Sequence, residues 1–376
     1  MEGKEVKNKV VLVLIMLVTL PVLLAACAPA AAPAPTSAPP TAAPAAPTVA
    51  ATTARITAPT AVPAAAVAKG PQPGKMYKVG YSQIVDHPSL NETRRGFLDG
   101  LKAAGFIEGT NLKFDYQNAQ NDVANARNIA EKFLADGDDL IVTCTTPNSQ
   151  AAVKVAKGKK TAVLYGCVTD PVAAGIADSV DKPSGTNVTG MYNPVPIAEG
   201  FDLFLKIKPD MKTIGTIYNA SESNSQTINK VAKAEAEKRG LKWVEVTVAG
   251  SADVKSAAES LVGKVDTIII GQDNTVISAF EAVVKTAQDN KIALFAMDPQ
   301  SVERGAVASL AANQYKAGVK WATQLGVPIL LGADPATLKP VRPTEFDMQV
   351  NIKAAEAVGL TIPEDILTKA ANVYGK

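Results

Sequence analysis

The sequence predicts an α/β fold of two doubly wound parallel-sheet lobes joined by a hinge. Three observations carry this. From residue 75 onward, short apolar runs alternate with amphipathic stretches of helical length, the grammar of βαβ units and parallel sheets. The same order of runs occurs twice. Matched segments also keep a near-constant offset. Asp139-Leu140-Ile141-Val142 recurs as Asp266-Thr267-Ile268-Ile269, 127 residues on. Ala162-Val163-Leu164-Tyr165 recurs as Ile292-Ala293-Leu294-Phe295, 130 residues on. Asp170-Pro171 recurs as Asp298-Pro299, 128 residues on. Ser82-Gln83 then answers to Asn219-Ala220.

In chain order, Tyr77–Ser82 is an apolar strand and Pro88–Ala104 a helix ended by Gly105. Asn111–Tyr116 is a strand, and Asp122–Ala135 a helix with Gly137 behind it. Leu140–Cys144 and Ala162–Cys167 are strands flanking a helix over Pro147–Ala156. The lobes divide near Tyr192-Asn193-Pro194-Val195-Pro196. Beyond that break, strands are predicted at Thr213–Tyr218, Lys242–Val248, Thr267–Ile270 and Ile292–Ala296. Helices are predicted at Ser225–Arg239, Val254–Val262 and Thr275–Asp289.

The N-terminus has a different composition. Lys4, Lys7 and Lys9 precede the uncharged run VVLVLIMLVTLPVLLAA over residues 10–26. A basic segment followed by an apolar one reads as a secretory leader. Pro21 and the short length make it a poor membrane span, which needs ~20 residues. It ends Leu24-Ala25-Ala26-Cys27, which resembles the bacterial lipobox, so Cys27 is the expected lipid-attachment residue. Residues 28–74 hold 11 of the 25 prolines and are otherwise mostly Ala and Thr. Such a stretch buries no core and is expected to be an extended tether. The expected domains are therefore a leader over 1–26 and a tether over 27–74. A first lobe of 75–193 plus about 313–340 follows, and a second of 194–312 plus about 341–376.

Composition excludes several classes. The 38 basic and 36 acidic residues give a formal charge of +2, so nothing argues for nucleic acid. One histidine, His87, and three cysteines leave no metal site and no disulfide framework. HExxH, GxSxG and Walker A motifs are absent. Cys144 and Cys167 end apolar strands and are read as buried small hydrophobes. A disulfide between them is the open alternative, not the preferred reading, and Cys144 is not read as the thiol of a pair with His87. The chain is expected to be no enzyme and to carry no cofactor.

Ligands of open α/β sheets bind outside the carboxyl ends of the strands, and two facing lobes would line one cleft with those ends. In the first lobe Thr145 and Thr146 follow a strand, with Thr146 as the expected cap of a helix opening at Pro147. Its first N–H groups would suit a carboxylate. Asp170, Asp273 and Asp298 occupy strand ends and could meet an ammonium, or simply cap helices. The polar loop from Asn219 through Glu222, Asn224 and Ser225 stands at another strand end. A carboxylate site on one lobe and carboxylates on the other fit a zwitterion such as an amino acid. Sugar sites usually present aromatic platforms, and neither Trp243 nor Trp321 falls at a strand end.

Several segments resemble a family of ABC-transporter substrate-binding lipoproteins. They are Val79–Pro88 (VGYSQIVDHP), Gly96–Leu101, Asp115–Gln120, Thr169–Gly175, Asn187–Gly190, Asp273–Val276 and Ala354–Ala357. The resemblance spans nearly all of 76–360 and implies a type I periplasmic-binding-protein fold, with tryptophan- or tyrosine-type ligands in some members. It makes Ser82, Gln83, His87, Thr145, Thr146, Thr169, Asp170, Asn219, Glu222, Asn224, Ser225, Asp273 and Asp298 the expected ligand-binding residues. It also implies that the helix near Tyr315–Leu331 returns to the first lobe. The chain departs from the family at Gly271-Gln272, where Pro-Thr is usual. It departs again at Ala220 after Asn219 and at Met297 before Asp298. All three lie in cleft loops of the second lobe and bear on the ligand more than the fold.

The expected function is a monomeric, membrane-anchored extracytoplasmic protein that binds a small amino-acid-like ligand and hands it to an ABC permease and ATPase. A ligand-sensing receptor subunit, or a nucleoside or sugar ligand, is the alternative.

Overall fold

The structure, a computed structural model, describes residues 70–376. The leader, Cys27 and the tether up to residue 69 lie outside the described residues.

The first lobe is built on β1 (Tyr77–Gln83), β2 (Leu112–Asn118), β3 (Leu140–Cys144), β4 (Ala162–Val168) and β5 (Val188–Tyr192). They form one parallel sheet in the order β2-β1-β3-β4-β5. Helices α1 (Pro88–Ala103), α2 (Val123–Ala135) and α3 (Thr146–Ala156) are its crossovers. β3 is buried along its whole length, as expected of a central parallel strand covered on both faces.

After α4 (Ile197–Ile207), the second lobe repeats the plan with β6 (Thr213–Asn219), α5 (Ser223–Lys238), β7 (Lys242–Val248) and α6 (Val254–Leu261). It continues through β8 (Thr267–Ile270), α7 (Asn274–Ser278), α8 (Phe280–Asp289) and β9 (Ala293–Ala296). The sheet order β7-β6-β8-β9 reproduces β2-β1-β3-β4. Two of the matched residues do matched work. Asp139 accepts the N–H of Lys78 at 2.8 Å. Asp266 accepts those of Lys212 at 3.0 Å and Thr213 at 2.9 Å. Each aspartate ties the start of one central strand to its neighbour, at the end of the sheet away from the cleft.

The chain then crosses back. β10 (Ala308–Ala312) leads into α9 (Gln314–Trp321) and, through a π-helical turn, α10 (Val327–Leu330). These helices cover the first lobe, where Trp321 packs 4.9 Å from Phe97, centroid to centroid. Val341 bridges Met191 at the edge of the first sheet. β11 (Phe346–Asn351), α11 (Ile352–Ala357), α12 (Glu364–Lys369) and β12 (Asn372–Tyr374) finish on the second lobe. Val350, Ala354 and Ile366 join Phe201, Phe204 and Phe295 in its core. Three segments therefore join the lobes: residues 193–196, 312–314 and 342–345. The last two are bonded side by side, Asn313 N–H to the Glu345 carbonyl at 3.1 Å.

Three local readings are corrected. The helix expected over 275–289 divides at Ala279, whose backbone leaves the helical region (φ −122°, ψ 29°) with no Pro or Gly to announce it. α3 begins at Thr146 itself, with Thr145 before it, and neither hydroxyl caps the helix. Cys144 and Cys167, read as separate thiols, form a disulfide with Cα atoms 5.1 Å apart. β3 and β4 are neighbours and Cys144 stands opposite Gly166, so Cys167 is one step away. A register shift against β5 between Tyr165 and Val168, with Cys167 at φ 54°, turns its side chain to Cys144. No thiol remains there for His87 to activate.

Asp138 lies near the start of β3, its Oδ2 buried without a partner. Burial, reinforced by the charges of Asp136 and Asp115, pushes its carboxyl up to about 6. A raised folded-state value means the group favours folding when protonated, and that contribution is lost as pH climbs from about 4 through 6. Asp138→Asn is therefore expected to stabilise the protein at pH 7.5 by about 1 kcal/mol after allowing for solvent screening, and not at pH 4. Thermal unfolding at the two pH values checks this; equal effects at both would reject it.

Candidate functional site

The carboxyl ends of both sheets face one cavity between the lobes, lined by residues of each. From the first lobe come Thr145 and Thr146, at the turn from β3 into α3. Both hydroxyls are buried and have no hydrogen-bond partner in the protein. The first N–H groups of a helix also lack partners within it, and the helix dipole favours negative charge there. Thr145 sits at φ 99°, left-handed backbone that a β-branched residue rarely adopts. Such conformations cost about 1–3 kcal/mol and persist where surrounding structure enforces them. Here the Thr145 N–H donates to the Gly166 carbonyl at 3.0 Å. The Thr145 carbonyl accepts the Ser149 hydroxyl at 2.8 Å.

His87 caps α1, its Nδ1 accepting the Ser89 N–H at 3.0 Å. With Nδ1 as acceptor, the neutral ring carries its proton on Nε2, which is buried and unpartnered. Burial pushes the imidazole below its usual range, outweighing the upward pull of Asp298. The first lobe therefore presents donors: two hydroxyls, helix N–H groups and Nε2–H.

The second lobe presents acceptors. Asp273 takes the Asn219 N–H and the Ser225 hydroxyl on Oδ2, both at 2.7 Å, and the Val276 N–H on Oδ1 at 2.7 Å. Burial, then the neighbouring charge of Glu222, pushes its carboxyl up to about 6, against these hydrogen bonds. Glu222 spans the start of α7, accepting the Thr275 N–H at 3.0 Å and the Asn274 N–H at 3.2 Å. Asn224 donates to Glu222 at 3.1 Å and to the Gln272 carbonyl at 2.8 Å, leaving its Oδ1 buried and free.

The lobes also touch directly. The Ser89 hydroxyl lies 2.5 Å from Asp298 Oδ1 and 2.5 Å from Gln300 Oε1. Asn121 donates to Thr275 at 3.3 Å. Asp298 is anchored on its own lobe by Ser301, through N–H at 3.0 Å and hydroxyl at 2.8 Å. Ser89→Ala removes the shortest of these interlobe contacts. It is expected to favour the open arrangement and to weaken ligand affinity roughly two- to tenfold, the worth of one net hydrogen bond. Calorimetry and the scattering radius of the unliganded protein check this; a variant unchanged in both would refute it.

Of the residues singled out from sequence, His87, Thr145, Thr146, Thr169, Asn224, Asp273 and Asp298 line this cavity. The others are spent on neighbours. Ser82 accepts from Asn148 at 2.7 Å, and Gln83 bonds Asn91 and Arg94. Asp170 accepts the N–H groups of Val172 and Ala173 at a turn. Asn219 donates to Thr275 at 3.0 Å. Glu222 and Ser225 stand behind Asn224 and Asp273. Sequence reasoning missed Ser89, Leu90, Cys167, Asn193, Gln272, Asn274, Ile277 and Gln314 as lining residues. Asn193 had a signal, standing at a strand end in the lobe break. Gln272 and Cys167 had positional signals too, but Gln314 had none. Among the described residues no cluster of His, Cys, Asp and Glu could hold a metal ion. None of the described helices is long and apolar enough to cross a membrane.

Comparison with known proteins identifies the architecture. A tyrosine-binding protein of Clostridioides difficile (strain R20291) is 36% identical over 286 residues, 76% of this chain and 82% of the relative. The crystal structure of an ABC domain in complex with L-Trp from Streptococcus pneumonia is 32% identical and matches with a TM-score of 0.75. The match covers 80% of this chain and all of that one. A substrate binding protein with adhesive properties from Clostridium difficile, in its ligand-free open form, is 37% identical over the same shares. It superposes less well, with a TM-score of 0.61. The better fit to the ligand-bound relative agrees with the interlobe contacts: the lobes here are closed. The family model described as ABC transporter substrate binding protein matches residues 78–374. The chain belongs to that family, whose members bind solutes rather than transform them.

Proposed function

We propose that the chain is a lipid-anchored extracytoplasmic component of an ABC importer, and that its ligand is an aromatic amino acid held as a zwitterion between the lobes. One observation carries the ligand reading: unpartnered donors on one lobe face acceptors on the other. The ligand carboxylate would take the Thr145 and Thr146 hydroxyls, the start of α3 and His87 Nε2–H. The ammonium would meet Asp273 and Asn224 Oδ1. Leu90, Ile277 and Cys167 supply the apolar lining. The tyrosine- and L-Trp-binding relatives support an aromatic side chain. The leader over 1–26, followed directly by Cys27, supports the anchor, and the family supports delivery to a permease and ATPase. In the closed arrangement the cavity is about 40 Å³, room for about three waters. Entry of the ligand therefore requires the lobes to part, and holding an aromatic side chain requires them to rest further apart than here, a hinge motion about the three crossings.

The test is titration of the protein with L-tyrosine, L-tryptophan and L-phenylalanine. Tryptamine and indole-3-propionate serve as analogues lacking one charge each. Ligand at 100 times its dissociation constant adds ~2.7 kcal/mol of stability. That is a rise of roughly 5–11 °C at ~2–4 °C per kcal/mol. Saturable binding of an L-amino acid, weakened at least ~100-fold in either analogue, supports the reading; each lost buried charge contact costs ~2–5 kcal/mol. Binding of a sugar or nucleoside, with none of any amino acid, overturns it.

A further inference from the structure

We propose that the Cys144–Cys167 disulfide is a positioning element of the ligand site. It holds the Thr145–Thr146 turn in its binding conformation, so that reduction weakens ligand binding while the lobes remain folded. The inference rests on the reading of that turn as the carboxylate half of the site.

Four observations converge. Cys144 is the last residue of β3 and the immediate neighbour of Thr145. Both bonded strands leave extended geometry at this point, Thr145 at φ 99° and Cys167 at φ 54°. The register shift between β4 and β5 falls between Tyr165 and Val168, around the second cysteine. Cys167 itself lines the cavity, beside the two unpartnered threonine hydroxyls.

The physical argument is one of competing conformations. A threonine released from constraint returns to negative φ. That rotation would swing its hydroxyl and the first N–H groups of α3 away from the cavity. Three hydrogen bonds oppose it: Thr145 N–H to Gly166 O, and both Ser149 N–H and Ser149 Oγ–H to Thr145 O. The two from Ser149 lie within the turn and can move with it, which leaves Thr145 N–H to Gly166 O as this residue's tie to β4. The covalent bond adds a tie between the end of β3 and the end of β4 that opens only on reduction. Because Cys167 opens onto the cavity, a small thiol can reach it when the lobes part, and bound ligand would cover it.

Reduction by dithiothreitol is balanced as follows. One thiolate attacks Cys167 Sγ, and Cys144 leaves as a thiolate and takes a proton. The second thiol then closes the oxidised six-membered ring and releases the Cys167 thiol.

The experiment uses the full chain with Cys27→Ser in every arm, so that no third thiol exchanges. Oxidised protein, dithiothreitol-reduced protein and the Cys144→Ala/Cys167→Ala double variant are compared. L-tyrosine and L-tryptophan affinity, thermal unfolding, and amide hydrogen exchange of residues 143–151 are measured. The expected result is faster exchange confined to that segment, affinity at least tenfold weaker, and a cooperative unfolding transition retained in the reduced form. Bound amino acid should also slow reduction. Equal affinity in oxidised and reduced protein would overturn the proposal, leaving the bond a staple for the fold. Faster exchange throughout the first lobe would overturn it in the same way. If oxidised protein binds no amino acid, the proposed ligand fails. The exchange pattern over 143–151 then still decides whether the bond positions the turn.

Discussion

Replacing Asp273 by alanine is expected to weaken binding of L-tyrosine or L-tryptophan by at least a hundredfold, about 2.7 kcal/mol. Removing one partner of a buried, hydrogen-bonded charge pair costs about 2–5 kcal/mol. The variant would also strand three donors, from Asn219, Ser225 and Val276. Asp273→Asn keeps the shape but turns one carboxylate oxygen into an NH2 group facing a backbone N–H, of Asn219 or of Val276, so thermal stability is measured beside affinity in both variants. Its affinity should fall, and with it some thermal stability, by about 1–3 kcal/mol, the cost of an unmet buried donor. Calorimetric titration of both variants decides the matter, and binding within threefold of the wild type in either would remove Asp273 from the ammonium site.

The same carboxyl sets a pH dependence with opposite signs for stability and affinity. In the ligand-free protein it titrates at about 6, pushed up first by burial and then by Glu222. Relative to an unfolded carboxyl near 4, protonation stabilises the folded state, and that contribution disappears as pH rises through 6. An ammonium ligand favours the ionised form. Affinity should therefore be flat above about pH 7 and fall below 6, by up to about tenfold per unit. His87, kept neutral by burial, should add nothing above pH 7. Titrations at pH 5, 6 and 7.5 test this, and a flat profile would mean that Asp273 carries its charge throughout.

Gly318→Ala should cause a large loss of stability, about 3 kcal/mol or more, at the upper end of the cost of overpacking. α9 lies so close on α1 that a methyl group at Gly318 would stand 2.1 Å from the Thr93 carbonyl oxygen and 2.8 Å from the Phe97 nitrogen. Across the contact, a methyl at Gly96 would stand 2.1 Å from the Tyr315 carbonyl oxygen. These obstacles are backbone and cannot rotate away, so the helices would have to separate. Their separation would loosen Phe97 and Trp321, both fully buried. Gly200→Ala is the contrast. Its methyl would meet only the Phe204 ring, at 3.8 Å, and should be neutral or mildly stabilising. Thermal unfolding separates the two, and a Gly318→Ala melting point within 2 °C or so of the wild type would refute the packing argument.

The doubled α/β plan was legible because central parallel strands are buried on both faces and read as unbroken apolar runs. β5, β10 and β12 carry weaker signals: Thr189 and Gly190 interrupt the first, small residues fill the second, and the third is only three residues long. α4 was missed although its apolar positions recur at helical spacing, because the prolines before it read as a break between lobes. At the site, strand-end position was enough to single out Thr145, Thr146 and Asp273. It could not separate side chains facing the cavity from those turned to neighbours, as with Gln83 and Asp170, since both stand at strand ends. Nor could it foresee the disulfide. The cysteines stand 23 positions apart, and their meeting depends on two backbone turns that no local residue preference announces. Thr145 adopts a conformation its side chain disfavours, so local propensity argued against the geometry that the site uses.

The return of α9 to α1 also bears on how the protein comes into being. Thr93 waits for Gln314, 221 positions later, for its side-chain hydrogen bond. At ~5–20 residues per second that is about 10–45 s of synthesis. During that interval the first sheet can pair its strands, yet the face it shares with α1 is only partly covered. Neither half can finish alone, and each is completed by a segment made after the other half has begun. Such a chain should ripen late and all at once, and is best kept unfolded until its last third has emerged.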